Sequence, residues 1–398
     1  MATPITITIG TDGSVSPFGG QLLRDGTDIP PLPEYEEYAE EVPGYAGRYH
    51  FGQDPRMREI NLALNIIKAE ASKASFLRQL AGWLNPANGE MYLVNSNEPD
   101  KRLKVRCLEP PSYKDSYGML KLSVPLVGRP YYESVALNTL TGAGSINNKG
   151  NVSCPCTIVF GPGTNPSVTI GGVTVSYTGT IASGCTVTVD TEKQTAYYTT
   201  GAGVVTNVLA NVSGGFPWLE PTPNLLTANQ SDVETDLTGL AAYNTYPTAT
   251  TFVRDTATYH SGAASAKATA ISDGNNMVIF GSLTSRIPVD PSTSYTFDVY
   301  AKATAAAGRK MRVGINFWDA GGGSTEATGS DIAYVSTFTK FTVTGTSAAG
   351  SIEAAVKLTL ITAVTGEILW WDSAYFYESA NIVTTSDTVT ITWRDWWI

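Results

Sequence analysis

The sequence predicts a mainly β protein with one long helix, divided into three units. Three observations carry this. Gly (38) and Pro (22) interrupt the 398 residues at short intervals, as turn-rich sheets require. Most of what lies between is short Val, Thr and Ile segments of alternating polarity, the pattern of half-buried strands. Only the stretch from Leu62 keeps apolar residues at sustained helical spacing. The charge, −10 from 26 basic and 36 acidic residues, argues against specific nucleic-acid binding, which needs a basic surface. No apolar run reaches the roughly 18 residues of a membrane span, so membrane insertion is not expected. The opening MATPITITIG lacks the basic and apolar regions of a secretory signal.

Residues 1–136 form the first unit, with 14 basic residues against 17 acidic ones. Within LALNIIKAEASKASFLRQLAGWL, Leu62, Ile66, Ala69, Lys73, Phe76, Leu77, Leu80 and Leu84 lie near one helical face. INLALNI also alternates, so the stretch can begin as a strand, with the helix starting near Ala69. Pro86 ends the helix, because it lacks the amide and pushes the residue before it out of the helical region. Strands are expected at Met91 to Asn95, Leu103 to Glu109 and Gly118 to Val127. Ahead of them, PPLPEYEEYAEEVPGYAG reads as a solvated acidic loop, or as a long arm that orders against a neighbouring subunit.

Residues 137–223 contain only five charged side chains. CTIVF, SVTIGGVTVSYTG, CTVTVDT and QTAYYTT alternate at the spacing of a β-sandwich, and Gly171-Gly172 is a two-residue hairpin signal. PWLEPTPN then reads as a Pro-rich linker. Residues 224–379 form a further β unit, with strands in YTFDVYAKA, RVGINFWD, FTKFTVTGT, IEAAVKLTL and EILWWDSAYFYE. DTVTITWRDWW supplies one more strand at 380–398.

Catalytic chemistry finds few residues to use. His50 and His260 are the only histidines, and hydrolases built on serine or cysteine usually recruit one as base. No pair of carboxylates is marked for glycosidase chemistry, so no catalytic residues are assigned and a non-enzyme is expected. Cys107, Cys154, Cys156 and Cys185 include no CxxC. The CPC motif puts two thiols on one strand face, where buried reduced thiols are expected rather than a metal site.

The first two units, taken together, resemble the distal tail protein family of long-tailed bacteriophages. The residues that carry the likeness are PGYAGRYHFG (43–52), the helix ending LAGWLNP (80–86), MYLV, KRLKVRCLE, GMLKLSVPLVG and the run Arg129-Pro130-Tyr131-Tyr132. NNKGNV (147–152), CTIVF, VDTEKQTAYY and GGFPWLEPTPN (214–224) continue it. In ordinary members a last strand follows soon after; here it is TVTITWRDWWI (388–398), about 155 residues later. The resemblance implies an N-terminal split β-barrel with one α-helix, six copies of which form a ring that continues the tail tube. It implies a galectin-like β-sandwich outside that ring, built from 137–223 and 380–398. Glu34, Tyr35, Glu36, Glu37 and Tyr38 would lie in an arm reaching the next subunit. The implied partners are further copies of the chain, the tail tube protein, the tip or baseplate hub and the tape measure protein. The implied location is the distal end of the virion tail.

The insert, 224–379, resembles family 4/9 carbohydrate-binding modules, which are β jelly rolls. The likeness rests on Asn224-Leu225-Leu226, HSGAASAKA, IPVDPSTSYTFDVYAKA and GEILWWDSAYFYE. It implies host cell-wall polysaccharide as a partner and, at Asp372, a structural calcium; no other cofactor is expected. Sugar binding needs exposed aromatic platforms with polar neighbours. Tyr243, Tyr246, Tyr259, Trp318, Trp370, Tyr375 and Tyr377 are available. Trp318, beside Asp319 and the loop AGGGSTEATGS, is the preferred platform, with Tyr243 and Tyr246 second. Strict alternation would set Trp371, Tyr375 and Tyr377 on one face and Trp370 on the other. Two rival readings stand beside the hub with a sugar-binding insert. One is a polysaccharide-binding protein unrelated to a tail. The other is a hub whose insert only docks fibres.

Overall fold

Strands dominate the computed structural model, which describes residues 7–10, 21–22, 28–41, 48–67, 70–85, 87, 89–95, 98–116, 119–243, 251–270, 273–280, 286–304 and 309–398. The spine of the N-terminal sheet is the strand Met119–Ser134. Its first half runs antiparallel to Arg58–Ile67, and its second half to Glu98–Arg106. Met91–Asn95 and Ile7–Gly10 extend the sheet on one side and Gln21–Leu22 on the other. Alternation sends Ile60, Leu62, Leu120, Leu122, Val124 and Leu126 to a common core, where Phe76, Leu80 and Leu84 of the helix Glu70–Trp83 join them. The helical spacing counted from Leu62 therefore belongs to two elements, a strand to Ile67 and a helix from Glu70. Lys73 lies on the buried face, as its place in the apolar stripe suggested, and its ammonium reaches Asp115 at 2.5 Å.

The acidic segment is not a loop. Tyr35–Glu41 is a strand paired with Arg48–Pro55 in a two-stranded sheet of its own. Cross-strand chemistry explains how a run of glutamates tolerates this: Glu36 meets Arg56 at 3.1 Å and the Tyr38 hydroxyl donates to Asp54 at 3.3 Å. Glu34, Tyr35, Glu36, Glu37 and Tyr38 are all exposed.

Two facing sheets follow. One runs Asn138–Thr141, Val389–Trp393, Cys154–Phe160, Thr186–Asp190, Thr195–Thr199, Val205–Asn207, with Trp218–Leu219 beside Cys154–Phe160. The other runs Gly144–Ile146, Asn381–Thr384, Ser167–Ile170, Val173–Tyr177, Val212–Gly214. Gly171 and Gly172 make the expected hairpin turn, with φ of +54° and +84° that side-chain-bearing residues rarely adopt. Ile146, Ile158, Phe160, Val175, Val187, Val389 and Ile391 fill the space between the sheets.

The single closing strand expected after residue 380 is three. Asn381–Thr384 enters one sheet and Val389–Trp393 the other, and Trp396–Trp397 crosses back to pair with Glu133 and Tyr132 of the N-terminal spine. Asp395 fixes the crossing. Its buried carboxylate accepts from the Lys149 amide (3.2 Å), Asn138 Nδ2 (3.1 Å) and Trp393 Nε1 (3.1 Å). Trp396 packs inward: it stacks on Tyr131 at 5.2 Å and meets Trp218 edge-on at 5.6 Å.

The insert is a second sandwich. Its seven-stranded sheet runs Leu240–Tyr243, Gly274–Phe280, Ser351–Ala363, Lys310–Asp319, Ser324–Thr328, with Ile287–Pro288 and Ile332–Ala333 at its sides. Its five-stranded sheet runs Thr251–Asp255, Ser265–Thr269, Ile368–Glu378, Ser294–Ala303, Thr339–Thr346. Phe297, Val299, Ile315, Phe317, Phe341, Leu358, Trp371 and Phe376 form the core between them. The segment read as a linker is pinned at both ends. Leu219 is fully buried, and Asn381 exchanges bonds with the Glu220 amide and carbonyl (2.9 and 2.8 Å). The Leu225 amide donates to the Phe376 carbonyl at 2.7 Å.

Candidate functional site

The outer face of the insert's five-stranded sheet gathers the groups best suited to hold a ligand. Strand register sets Lys267, Trp370 and Lys302 directly opposite one another on three adjacent strands. The Lys302 and Lys267 ammonium groups lie 5.0 and 5.7 Å from the Trp370 ring centre. Two residues along from Lys302, and therefore on the same face, Tyr300 stacks on His260 with ring centres 3.8 Å apart and planes 15° off parallel. Phe338 closes the flank, 5.8 Å from His260 and 5.3 Å from the Lys302 ammonium. A groove of about 450 Å³ runs along this edge between Tyr259, Lys302, Thr337 and Phe338.

Local structure explains why Trp370 faces out. Trp371 is fully buried and meets Phe252 edge-on, which turns its neighbour away from the core. The Trp370 indole N–H is not left to solvent. It donates to Asp255 Oδ2 at 2.9 Å, and this bond, with lesser help from backbone amides and Lys267, holds that carboxyl below its ordinary pKa. The row therefore carries two ammonium groups and one ionised carboxylate already in use.

Strict alternation fails further along this strand. Trp371, Ala374 and Phe376 all enter the core, and Ser373 has φ of +50° with a register irregularity opposite Asp298 and Tyr300. A bulge of this kind moves every later side chain to the other face. Tyr375 and Tyr377 consequently share the face of Trp370, not that of Trp371. They are covered all the same. The Lys149 ammonium lies 3.9 Å above the Tyr375 ring, and the buried Tyr377 hydroxyl donates to Asp298 at 3.2 Å. The sandwich closes one end of the face and leaves the Trp370 end open.

Asp372 belongs to the scaffold of this face. Its Oδ2 accepts from the His260 and Ser261 amides, both at 2.9 Å, and its Oδ1 from the Ser373 amide at 2.6 Å. These bonds hold the loop that lays His260 on Tyr300. Burial raises the Asp372 pKa despite the three amides. A calcium ion, which takes six to eight oxygen ligands, does not suit a carboxylate ringed by N–H donors. Among the described residues no group of three or more His, Cys, Asp or Glu side chains is placed to hold a metal.

The other expected residues lie elsewhere. Trp318 is in the strand Lys310–Asp319 of the opposite sheet, not in a loop, and is only 8% exposed. The Arg286 guanidinium, itself paired with Glu353 at 3.2 Å, covers its ring at 4.2 Å. It is therefore not an open platform. Asp319 is exposed but occupied: its Oδ1 accepts from the Gly323 amide at 2.8 Å and closes the turn to Ser324–Thr328. Tyr243 ends the strand Leu240–Tyr243, opposite Met277, and Tyr246 lies outside the described residues. Trp370 and the exposed Tyr259 reach the open face. His260, Tyr300, Phe338, Lys267 and Lys302 carry no mark of this role in the sequence. The one signal that pointed there was Trp370 facing away from Trp371. Cys154 and Cys156 share a buried strand face without a disulfide, as expected, and burial pushes the Cys156 thiol up to about 12.

Residues 21–127 match the model of the phage tail protein RIFT-related domain, and residues 227–360 match that of a carbohydrate binding domain. Among solved structures, the chain is similar to the Dit protein (gp 19.1) of SPP1, described as a paradigm of the hub adsorption apparatus in phages infecting Gram-positive hosts. The identity is 14% over 54% of this chain and 91% of that one, with a TM-score of 0.43. It is also similar to the CBM22-1 xylan-binding domain of Paenibacillus barcinonensis Xyn10C (14% identity, 40% and 96% covered, TM-score 0.32). A third match is the enzymatically active domain of tailspike protein 4 from bacteriophage CBA120 (15% identity, 40% and 22% covered, TM-score 0.30). No curated protein matches the chain. The chain thus joins a phage-tail domain to a carbohydrate-binding domain.

Proposed function

We propose that this chain is a structural, non-catalytic hub at the distal end of a long-tailed phage tail, and that its insert holds polysaccharide of the host surface on the Trp370 face. The observation that supports the second part is the open face itself: Trp370, Tyr300 and His260 present ring surfaces beside polar groups, within the segment that matches a carbohydrate-binding domain. Rings that keep part of their surface in solvent, as the half-buried Trp370 and the exposed His260 do, suit the apolar faces of pyranose rings. The first part rests on the match of residues 21–127 to a phage-tail domain.

In this reading residues 1–136 form a ring of six copies between the tail tube protein and the tip or baseplate hub, with the tape measure protein as a further partner. The hairpin Tyr35–Glu41/Arg48–Pro55 reaches the next copy. Residues 137–223 with 380–398 form the outer sandwich, and 224–379 the binding module. Six modules on one ring convert weak single sites into firm attachment, since linked sites raise the local concentration for each other.

The test is electron microscopy and native mass spectrometry of the full-length protein, followed by binding to host cell walls. A sixfold ring whose wall binding is lost in Trp370→Ala is expected. A monomer under all conditions would overturn the hub, and wall binding unchanged in Trp370→Ala would overturn the face. The pinned junction at Leu219, Asn224 and Asn381 favours a second reading in part, an insert that is a rigid dock for fibres. A ring with no affinity for cell walls would select it.

A further inference from the structure

The basic side chains of the insert are not distributed as its overall charge would suggest. Residues 224–379 contain fourteen acids and nine bases, so a spare cation there is the exception. Arg254, Arg286, Arg309, Arg312, Lys340 and Lys357 each pair with a carboxylate. Among the described residues the other three, Lys310 and the two lysines that flank Trp370, Lys267 and Lys302, form no salt bridge. The nearest acid on the row, Asp255, already accepts from the Trp370 indole and the Ala257 amide.

Cation–π contact with Trp370 accounts for where the two lysine stems lie. It does not account for leaving Lys302 without a salt bridge, and Lys267 with only the already occupied Asp255 near it, in a module rich in acids. Adjacent strands are about 4.8 Å apart, so the two lysines straddle the tryptophan across three strands, roughly the length of a disaccharide. Lys302 also lines the groove beside Phe338. A neutral glycan would stack on Trp370 and leave both charges unanswered.

We infer that this face takes an acidic polysaccharide, one sugar ring stacking on Trp370 while phosphate or carboxylate groups of its repeat meet Lys267 and Lys302. The inference rests on the reading that the insert binds polysaccharide, and it adds the class. Ammonium groups bind such anions through charge-assisted hydrogen bonds, the stronger kind. In the crowded field of a protein with net charge −10, they also select where on the particle an anionic polymer can settle.

The experiment is isothermal titration of the full-length protein with three polymers: poly(glycerol phosphate) teichoic acid, polygalacturonate and neutral xylan. At least one anionic polymer should bind, more weakly as salt rises, and which of the two binds distinguishes phosphate from carboxylate. Lys302→Gln and Lys267→Gln should each weaken that binding about tenfold, the loss of one charge-assisted hydrogen bond, with melting unchanged. Trp370→Ala should remove it. Xylan binding that ignores salt and both lysine substitutions would overturn the acidic class and leave the polysaccharide reading standing. Failure of all three polymers and of host cell walls would sink both.

Discussion

One added methyl group tests how the C-terminal residues hold two units together. A Cβ built on Gly150 would lie 1.9 Å from the Trp396 carbonyl oxygen and 2.7 Å from its nitrogen, where real Cβ atoms keep 3.0 Å or more. Both atoms are backbone, so no rotamer change relieves the overlap, and Gly150→Ala must push residues 395–398 away by more than 1 Å. What is then lost can be counted. The Trp396 carbonyl accepts from the Asn151 and Val152 amides at 3.0 and 3.4 Å, each worth about 1 kcal/mol. The ring contacts with Tyr131 and Trp218 add about 0.5–1.5 kcal/mol each. Together these give about 4 kcal/mol, or a fall of about 10 °C in melting temperature for a unit of this size. Differential scanning calorimetry is the assay. The transition of the N-terminal units should fall while that of the insert stays in place. Gly82→Ala, in an exposed helical position with nothing within 4 Å of the new atom, should be neutral or slightly stabilising. A shift under about 1 °C in Gly150→Ala would refute the reasoning, and so would an equal fall in both transitions.

Trp318→Ala should cost about 3 kcal/mol of insert stability, as large-to-small changes at covered positions do, and leave polysaccharide binding intact; a loss of binding without a loss of stability would restore Trp318 as a platform. A thiol reagent applied to the native protein should label the half-buried Cys185 first, since burial raises the thiol pKa of Cys107, Cys154 and Cys156; rapid labelling of three or four thiols would contradict the buried core. Burial also raises the pKa of Asp395. A raised folded-state value means the folded chain holds this proton more tightly than the unfolded one, so the group's contribution is complete below about 3.9 and is lost as pH rises through the folded value. The stability of wild type relative to Asp395→Asn should therefore decline with rising pH across that window; a difference that grows with pH would reverse the assignment.

Much of the architecture is written in local patterns. Alternation located the strands around Cys154–Phe160 and Thr186–Asp190, the Gly171-Gly172 turn, and the helix that ends before Pro86. Three features were not legible, each for its own reason. Glutamates carry a low strand propensity, so Tyr35–Glu41 reads as loop, and only its pairing with Arg48–Pro55 makes it a strand. The bulge at Ser373 depends on a backbone angle, and without it the faces of Tyr375 and Tyr377 come out inverted. The candidate site is assembled across strands, with Lys267, Lys302 and Trp370 up to about a hundred residues apart in sequence. Neither lysine is marked by its neighbours in the chain. Trp318 misled because the glycine-rich run after it suggested an exposed loop, whereas the strand continues to Asp319 and Arg286 lies over the ring.

The three short strands at Asn381–Thr384, Val389–Trp393 and Trp396–Trp397 also set an order of events. They lie beyond the insert in the sequence, yet each completes a sheet begun in residues 1–220. Until they arrive, Cys154–Phe160 keeps an open edge where Val389–Trp393 will pair, and open edges invite pairing with other chains. The insert closes its core with residues of 224–379, whereas both earlier units need strands that lie beyond it. Contacts this distant in sequence are slow to form. A polypeptide cut short after the insert would therefore carry a module with a complete core on a base that lacks Asn381–Thr384, Val389–Trp393 and Trp396–Trp397.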